Sequence, residues 1–232
     1  MAILVCMTHT YPQFLAFIRH GDYHQRADTP SACQAGALTL EGRQQAEAAA
    51  FEISRFAQDQ QLSLNQTIFT SQLLRAWQTG SLLSQQLHQQ TRQNFNCQAV
   101  DDLHERCVGA FANLTRAEIE QAVKTDPRSA PMPENWKSDS HYCLPTIGAE
   151  SLLDAGNRVL QRLQALLAYP SSRLTTVVGH GAAFRHAAYW MGVLSFDEIQ
   201  RYSMYHGRPL FFKYLPDEGW QKIGGDWKIR GK

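Results

Sequence analysis

The chain has 232 residues, 44% hydrophobic and 19% charged, and its 22 basic against 21 acidic residues leave a formal charge of +1. That is the composition of a globular protein with enough chain for a sizeable core. No strong overall field draws it to nucleic acid or to an anionic membrane, so affinity for an anion must come from local arrangement.

The apolar runs at residues 1–7 and 14–18 fall far short of the roughly 20 residues a membrane span needs. The start of the sequence also lacks the basic stretch and small-residue cleavage site of a secretory signal, so the expected location is cytoplasmic. Five cysteines (Cys6, Cys33, Cys97, Cys107, Cys143) form no C-x-x-C pair and match no zinc or disulfide framework; they read as reduced, mostly structural thiols.

In chain order, Phe14-Leu-Ala-Phe-Ile18 is a continuous apolar run between Pro12 and Gly21 and predicts a fully buried strand. Residues 1–13 before it form an N-terminal extension, and 14–232 a single domain. Residues 39–58 carry Leu40, Ala46, Ala49, Ala50, Ile53 and Phe56 at near-helical spacing, with Thr39 as the cap and Gly42 as a weak spot. A second strand is predicted at 66–70, and Ser71 is suited to cap the helix running through Leu74, Trp77, Leu82, Leu83 and Leu87.

A short strand near 98–100 precedes an irregular stretch, 101–149, with one helix at 115–124 and prolines at 127, 131, 133 and 145. Such a segment suits a lid insertion over about 105–149. Residues 150–169 predict an amphipathic helix ending at Pro170, followed by a strand at 174–178, a helix at about 181–191 and a strand at 209–215. The alternation predicts an α/β fold, a three-layer α/β/α sandwich with a mostly parallel central sheet and an inserted lid.

In such sheets ligands bind beyond the carboxyl ends of the strands. Three polar clusters follow three predicted strands: Arg19-His20-Gly21, Ser71 to Arg75, and His180-Gly181. Two arginines and two histidines would converge there. Arginine forks match the oxygens of a phosphoryl group, and a neutral imidazole is a competent phosphoryl acceptor when one ring nitrogen is free and the other is held. Gly21 and Gly181 permit close backbone approach. The duller reading makes His20 a satisfied core histidine and Arg19 a surface ion-pair partner.

Taken in order, Ile18-Arg-His-Gly21, Thr70-Ser-Gln-Leu-Leu-Arg-Ala-Trp-Gln-Thr79, Leu103-His-Glu-Arg106 with Gly109, Gly148-Ala-Glu-Ser151, and Val178-Gly-His-Gly181 followed by Arg185 resemble the phosphoglycerate mutase-like branch (branch 1) of the histidine phosphatase superfamily, over residues 14 to about 214. The resemblance implies that His20 attacks phosphorus and becomes phosphorylated. It implies that Arg19, Arg75, His180 and Gly181 hold the transferring group and that Glu105 is the general acid, with neither metal nor cofactor. Glu105 alone also reads as a loop carboxylate paired with Arg106. Glu150 reads more plainly as an acid in the first turn of its helix, and Arg185 as a brace or a surface pair.

Departures from the family pattern bear on subclass. Where the mutases carry a Tyr three positions and a Lys eleven positions after the acid, this chain has Val108 and Arg116, and Lys137-Ser138 follows Trp136 where an Arg pair is usual. Asp22 keeps the usual acidic residue, while Arg26 replaces a common Asn. These changes favour hydrolysis over mutase-type phosphotransfer, which stays the alternative. A non-catalytic phospho-ligand binding module is a second alternative, against which stands the retention of the nucleophile and both arginines.

Arg26, Arg106 and Arg116 are candidate contacts for anionic parts of the substrate, although a solvated surface charge is the commoner reading of each. A zinc site on His20-x-x-x-His24 is weaker, because no helix aligns the pair. The expected partner is a phosphorylated small molecule, not nucleic acid or membrane, and a homo-oligomer is compatible with the sequence.

Overall fold

In a computed structural model, residues 11–168 and 171–231 are described. Most of the predicted extension, Cys6 and the end of the predicted 150–169 helix lie outside them.

The chain runs β1 (Gln13–Arg19), α1 (Leu40–Asp59), β2 (Ser63–Ser71), α2 (Leu74–Thr91), β3 (Asn96–Val100), a 3-10 turn (Gly109–Phe111), α3 (Arg116–Thr125), α4 (Leu152–Leu166), β4 (Arg173–Gly179), α5 (Gly181–Trp190), α6 (Phe196–Arg201), β5 (Tyr202–Ser203), β6 (Pro209–Leu215), β7 (Gly219–Gly224) and β8 (Lys228–Ile229). Six strands form one sheet in the order β3-β2-β4-β1-β6-β7. The pairs β2·β3, β2·β4 and β1·β4 are parallel, while β6 and β7 add antiparallel at one edge.

The apolar run of β1 is explained by burial on both faces. Leu15 and Phe17 pack with Val177, Phe212, and Val159 and Phe184 of α4 and α5; Ala16 and Ile18 pack with Val178, Ile68, and Ile53 and Leu83 of α1 and α2. Successive side chains of a strand point to opposite faces, so a strand covered on both sides reads as unbroken hydrophobicity rather than alternation. Helices on both faces of a mostly parallel sheet make the three-layer α/β/α sandwich that the sequence predicts.

Several details differ from the predicted elements. Gln13 is not in the extension: it is buried, opens β1 and pairs with Tyr214. Ser71 does not cap α2; it ends β2, and its hydroxyl turns to His180 at 2.9 Å. Leu40 and Trp77, placed on apolar helix faces by spacing, are exposed. Elements α6, β5, β7 and β8 were not predicted, because pieces of two to six residues carry too few turns of any period to be seen. Segment 105–149, although rich in proline, builds a core of its own from Val108, Ile119, Val123, Trp136 and Leu144 with Ala32 of the β1–α1 loop. Among the described residues, no helix is long and apolar enough to cross a membrane.

Gly42 is not a weak spot but a contact. A Cβ there would lie 1.9 Å from the Asp22 carbonyl oxygen, and one at Gly21 would lie 2.2 Å from that of Gly42, so α1 starts against the loop that carries His20. Helix propensity alone predicts that Gly42→Ala gains about 1 kcal/mol. Forcing backbone apart instead costs about 1–3 kcal/mol or more. A net loss of stability in urea denaturation is therefore expected; a net gain would contradict the close approach.

Candidate active site

Because β1, β2 and β4 run parallel, with Arg19 opposite Gly179 and Thr70 opposite Val178, their carboxyl ends form one edge. Arg19, His20, Ser71 and His180 meet there, and Arg75 reaches them from the first turn of α2.

His20 is buried. Its Nδ1 donates to the Gly21 carbonyl (2.7 Å), which fixes the tautomer and leaves Nε2 as the basic nitrogen, now accepting from Arg75 Nε at 3.1 Å. Burial, then the charges of Arg75 and Arg19, hold its pKa well below the ordinary histidine value, so the ring is neutral at pH 7. His180 is its counterpart: Nε2 donates to Ser71 Oγ, Nδ1 faces Arg75 Nη2 at 3.3 Å, and burial with Arg75 keeps its pKa well below normal. The two rings lie 5.0 Å apart.

Arg75 is fully buried and tethered. Nη1 donates to Gln34 O (2.8 Å), and Nη2 to Ser31 O (2.9 Å) and Ala32 O (3.0 Å). Loop 31–34 thus fixes a positive charge against both imidazoles. Arg19 donates through Nη1 to Met204 O, and its Nε has no acceptor among the described residues. The aliphatic part of Arg19 runs past Gly181, where a Cβ would lie 3.0 Å from Arg19 Cδ.

Glu105 is held at the start of α5. Oε1 accepts from the amides of Ala183 (3.0 Å) and Arg106 (2.9 Å), and Oε2 from that of Ala182 (3.2 Å). A carboxylate oxygen has two lone-pair sites, so Oε2 keeps one free and Oε1 does not. Glu150 is not in the first turn of α4, as the sequence suggests; it precedes the cap Ser151. Its carboxylate is gripped by Arg158 Nη2 (2.6 Å) and Nε (3.1 Å) and accepts the Cys107 amide (2.8 Å), which positions the segment bearing Glu105.

A cavity of about 420 Å³ opens beside these groups, lined by Arg19, Glu105, Gly181 and Ala182 on one side and by Arg116, Glu134, Lys137, Arg185 and Arg230 around it. Of the candidate substrate contacts, Arg116 lines this cavity. Arg106 is buried beside it, its guanidinium over the Trp136 ring at 5.8 Å, lining a small recess with Glu105. Arg26 is not brought in: it is exposed and donates to Asn113 O. His24 is exposed, and the described residues hold no cluster of potential metal ligands.

No motif marks Lys137, His206 or Arg230 as a site residue, and His206 reads from sequence as a structural or surface histidine. His206 donates from Nδ1 to His20 O at 2.7 Å, and burial with Arg19 holds its pKa at about 4. Arg185, set aside as a brace or surface pair, is buried on α5 five residues after His180, a spacing that puts it less than two turns along the same helix. For Arg230 no sequence signal exists, since it sits in the turn just after the two-residue strand β8.

A family model described as "Histidine phosphatase superfamily (branch 1)" matches residues 15–218, and the chain belongs to that superfamily. Membership places it among phosphatase-type enzymes. Solved structures of similar fold include "Mycobacterial hydrolase 1" (20% identity, TM-score 0.68, 92% of this chain and 97% of that one) and mycobacterial glucosyl-3-phosphoglycerate phosphatase (19%, 0.66, 93% and 97%). Another is a phosphoserine phosphatase mutant from Entamoeba histolytica (15%, 0.61, 91% and 95%). At these identities the likeness is one of fold. A search of curated proteins finds no match.

Proposed function

We propose that the chain hydrolyses a phosphorylated small molecule through a phosphohistidine on His20, without a metal. The observation that carries this reading is the neutral, buried His20 ring, with Nδ1 tied to Gly21 O and Nε2 facing the guanidinium of Arg75. A phosphoryl oxygen arriving between them takes over the Arg75 Nε donor and frees the Nε2 lone pair. Nε2 then forms a bond to phosphorus as the ester P–O bond breaks, and Glu105 Oε2 delivers a proton to the leaving oxygen. In the second half, water loses a proton to Oε2, its oxygen bonds to phosphorus and the N–P bond breaks. Arg19, Arg75 and His180, with the Gly181 turn, hold the group and neutralise its charge, the fixed-charge arrangement that phosphoryl transfer needs.

Two features argue against the mutase alternative and the binding-module alternative respectively. Val108 is buried in the core of segment 105–149 and offers no polar contact, and all four pocket residues are present around a neutral nucleophile.

The test is phosphate release from an aryl phosphate in the presence of a chelator, with label from the phosphate trapped on the protein as an acid-labile, base-stable adduct. Absence of both turnover and adduct would overturn the reading. For Glu105→Gln, a kcat/KM loss of roughly 10²–10⁴-fold is expected on an alkyl phosphate. The loss should be much smaller on 4-nitrophenyl phosphate, whose leaving group needs no proton. Equal losses on both substrates would remove Glu105 from the acid role.

A further inference from the structure

The cavity holds more positive charge than one phosphoryl group uses. Arg185 is only 6% exposed, yet among the described residues it forms no ion pair: Nη1 donates to Tyr202 O at 2.9 Å, and Nε has no acceptor there. Arg230, beside it on the cavity wall, spends its Nη1 on Gln200 O (3.3 Å), while its amide donates to Arg201 O (2.9 Å) and fixes the backbone.

The two guanidiniums repel. Burial, then the charge of Arg230, brings Arg185 down to about 10. Glu105, the acid that acts on Arg185, has its carboxylate committed to the amides of Ala182, Ala183 and Arg106. An unpaired buried cation is costly, and two forks side by side suit an anionic oxygen group that accepts from both.

We propose that Arg185 and Arg230 form a subsite for a second anionic group on the substrate, a carboxylate or a further phosphate, within the cavity that Arg19 lines. The inference rests on the phosphohydrolase reading and narrows it: the substrate is a small phosphomonoester with another negative oxygen group a short spacer away. Lys137 and Arg116, on the wall formed by segment 105–149, are separate from this pair.

Calorimetry with ligands that cannot be hydrolysed tests the subsite independently of turnover. Propylphosphonate, 3-phosphonopropanoate and propane-1,3-bisphosphonate are titrated into the wild type, Arg230→Gln and Arg128→Gln, the last removing an exposed cation outside the cavity. The wild type and Arg128→Gln are expected to bind both ligands that carry a second anionic group at least about tenfold more tightly than propylphosphonate, and Arg230→Gln to bring that ratio close to one.

A wild-type ratio near one, a ratio that Arg230→Gln leaves intact, or an equal fall in Arg128→Gln would overturn the subsite. The tighter of the two ligands with a second anionic group identifies the anion. Aryl phosphate turnover on the same preparations separates the two claims: preference without turnover keeps the subsite and rejects the chemistry, and turnover without preference does the reverse.

Discussion

His20→Ala is expected to lose at least about 10⁴-fold in kcat on an aryl phosphate, because removal of a nucleophile leaves only binding and charge stabilisation. No phosphorylated protein should accumulate. The substitution also strips partners from Arg75 Nε and the Gly21 carbonyl, both in the buried pocket. Unmade buried hydrogen bonds cost about 1–3 kcal/mol each, so the variant should be measurably less stable in urea.

His20→Gln separates the two effects, since its amide oxygen reaches the neighbourhood of Nε2 and accepts from Arg75. It should recover part of the stability and none of the activity. Turnover within tenfold of wild type in either variant, after purification away from contaminating phosphatase, would sink the covalent mechanism.

Acid should unfold the protein well above the range in which surface carboxylates titrate. Four histidines have depressed pKa values: His20 and His180 well below normal, and His186 and His206 at about 4, each chiefly through burial. In the unfolded chain they titrate near 6.5. Below that pH the unfolded state takes up protons that the folded state refuses, so ∂ΔG/∂pH is positive and stability falls as pH drops.

For His186 and His206 alone the slope is roughly 2 kcal/mol per pH unit between about 6 and 4.5, and the total by pH 4 rivals the whole stability of a typical domain. Urea midpoints at pH 7, 6 and 5 measure it. His186 ties α5 to segment 105–149 through Ser140 Oγ at 3.0 Å and to Ala182 O at 2.8 Å. His186→Gln should therefore flatten the profile by about one proton. A level profile from pH 7 to 5 in the wild type would contradict neutral burial of these rings.

The framework is legible in the chain alone. A strand buried on both faces, such as β1, announces itself as unbroken hydrophobicity, and helices of 15 to 20 residues, such as α1 and α4, repeat their period often enough to be seen. The placing of Arg19-His20, Ser71 and His180 at one edge also followed, because parallel strands share a carboxyl end and the residues after them are fixed by chain order alone.

The remaining features arise from packing between distant segments. The tautomer of His20 depends on the Gly21 carbonyl, and its neutrality on burial beside Arg75, whose position is set by carbonyls of loop 31–34, some forty residues away in sequence. Glu150 looked like a first-turn acid but clamps the Glu105 segment, because what a carboxylate contacts depends on which cation folds back onto it, here Arg158. Arg185 and Arg230 share a wall only because β8 pairs with β5 next to α5. A two-residue strand has no period, so that meeting of charges arises from packing between distant parts of the chain and leaves no local trace in the sequence.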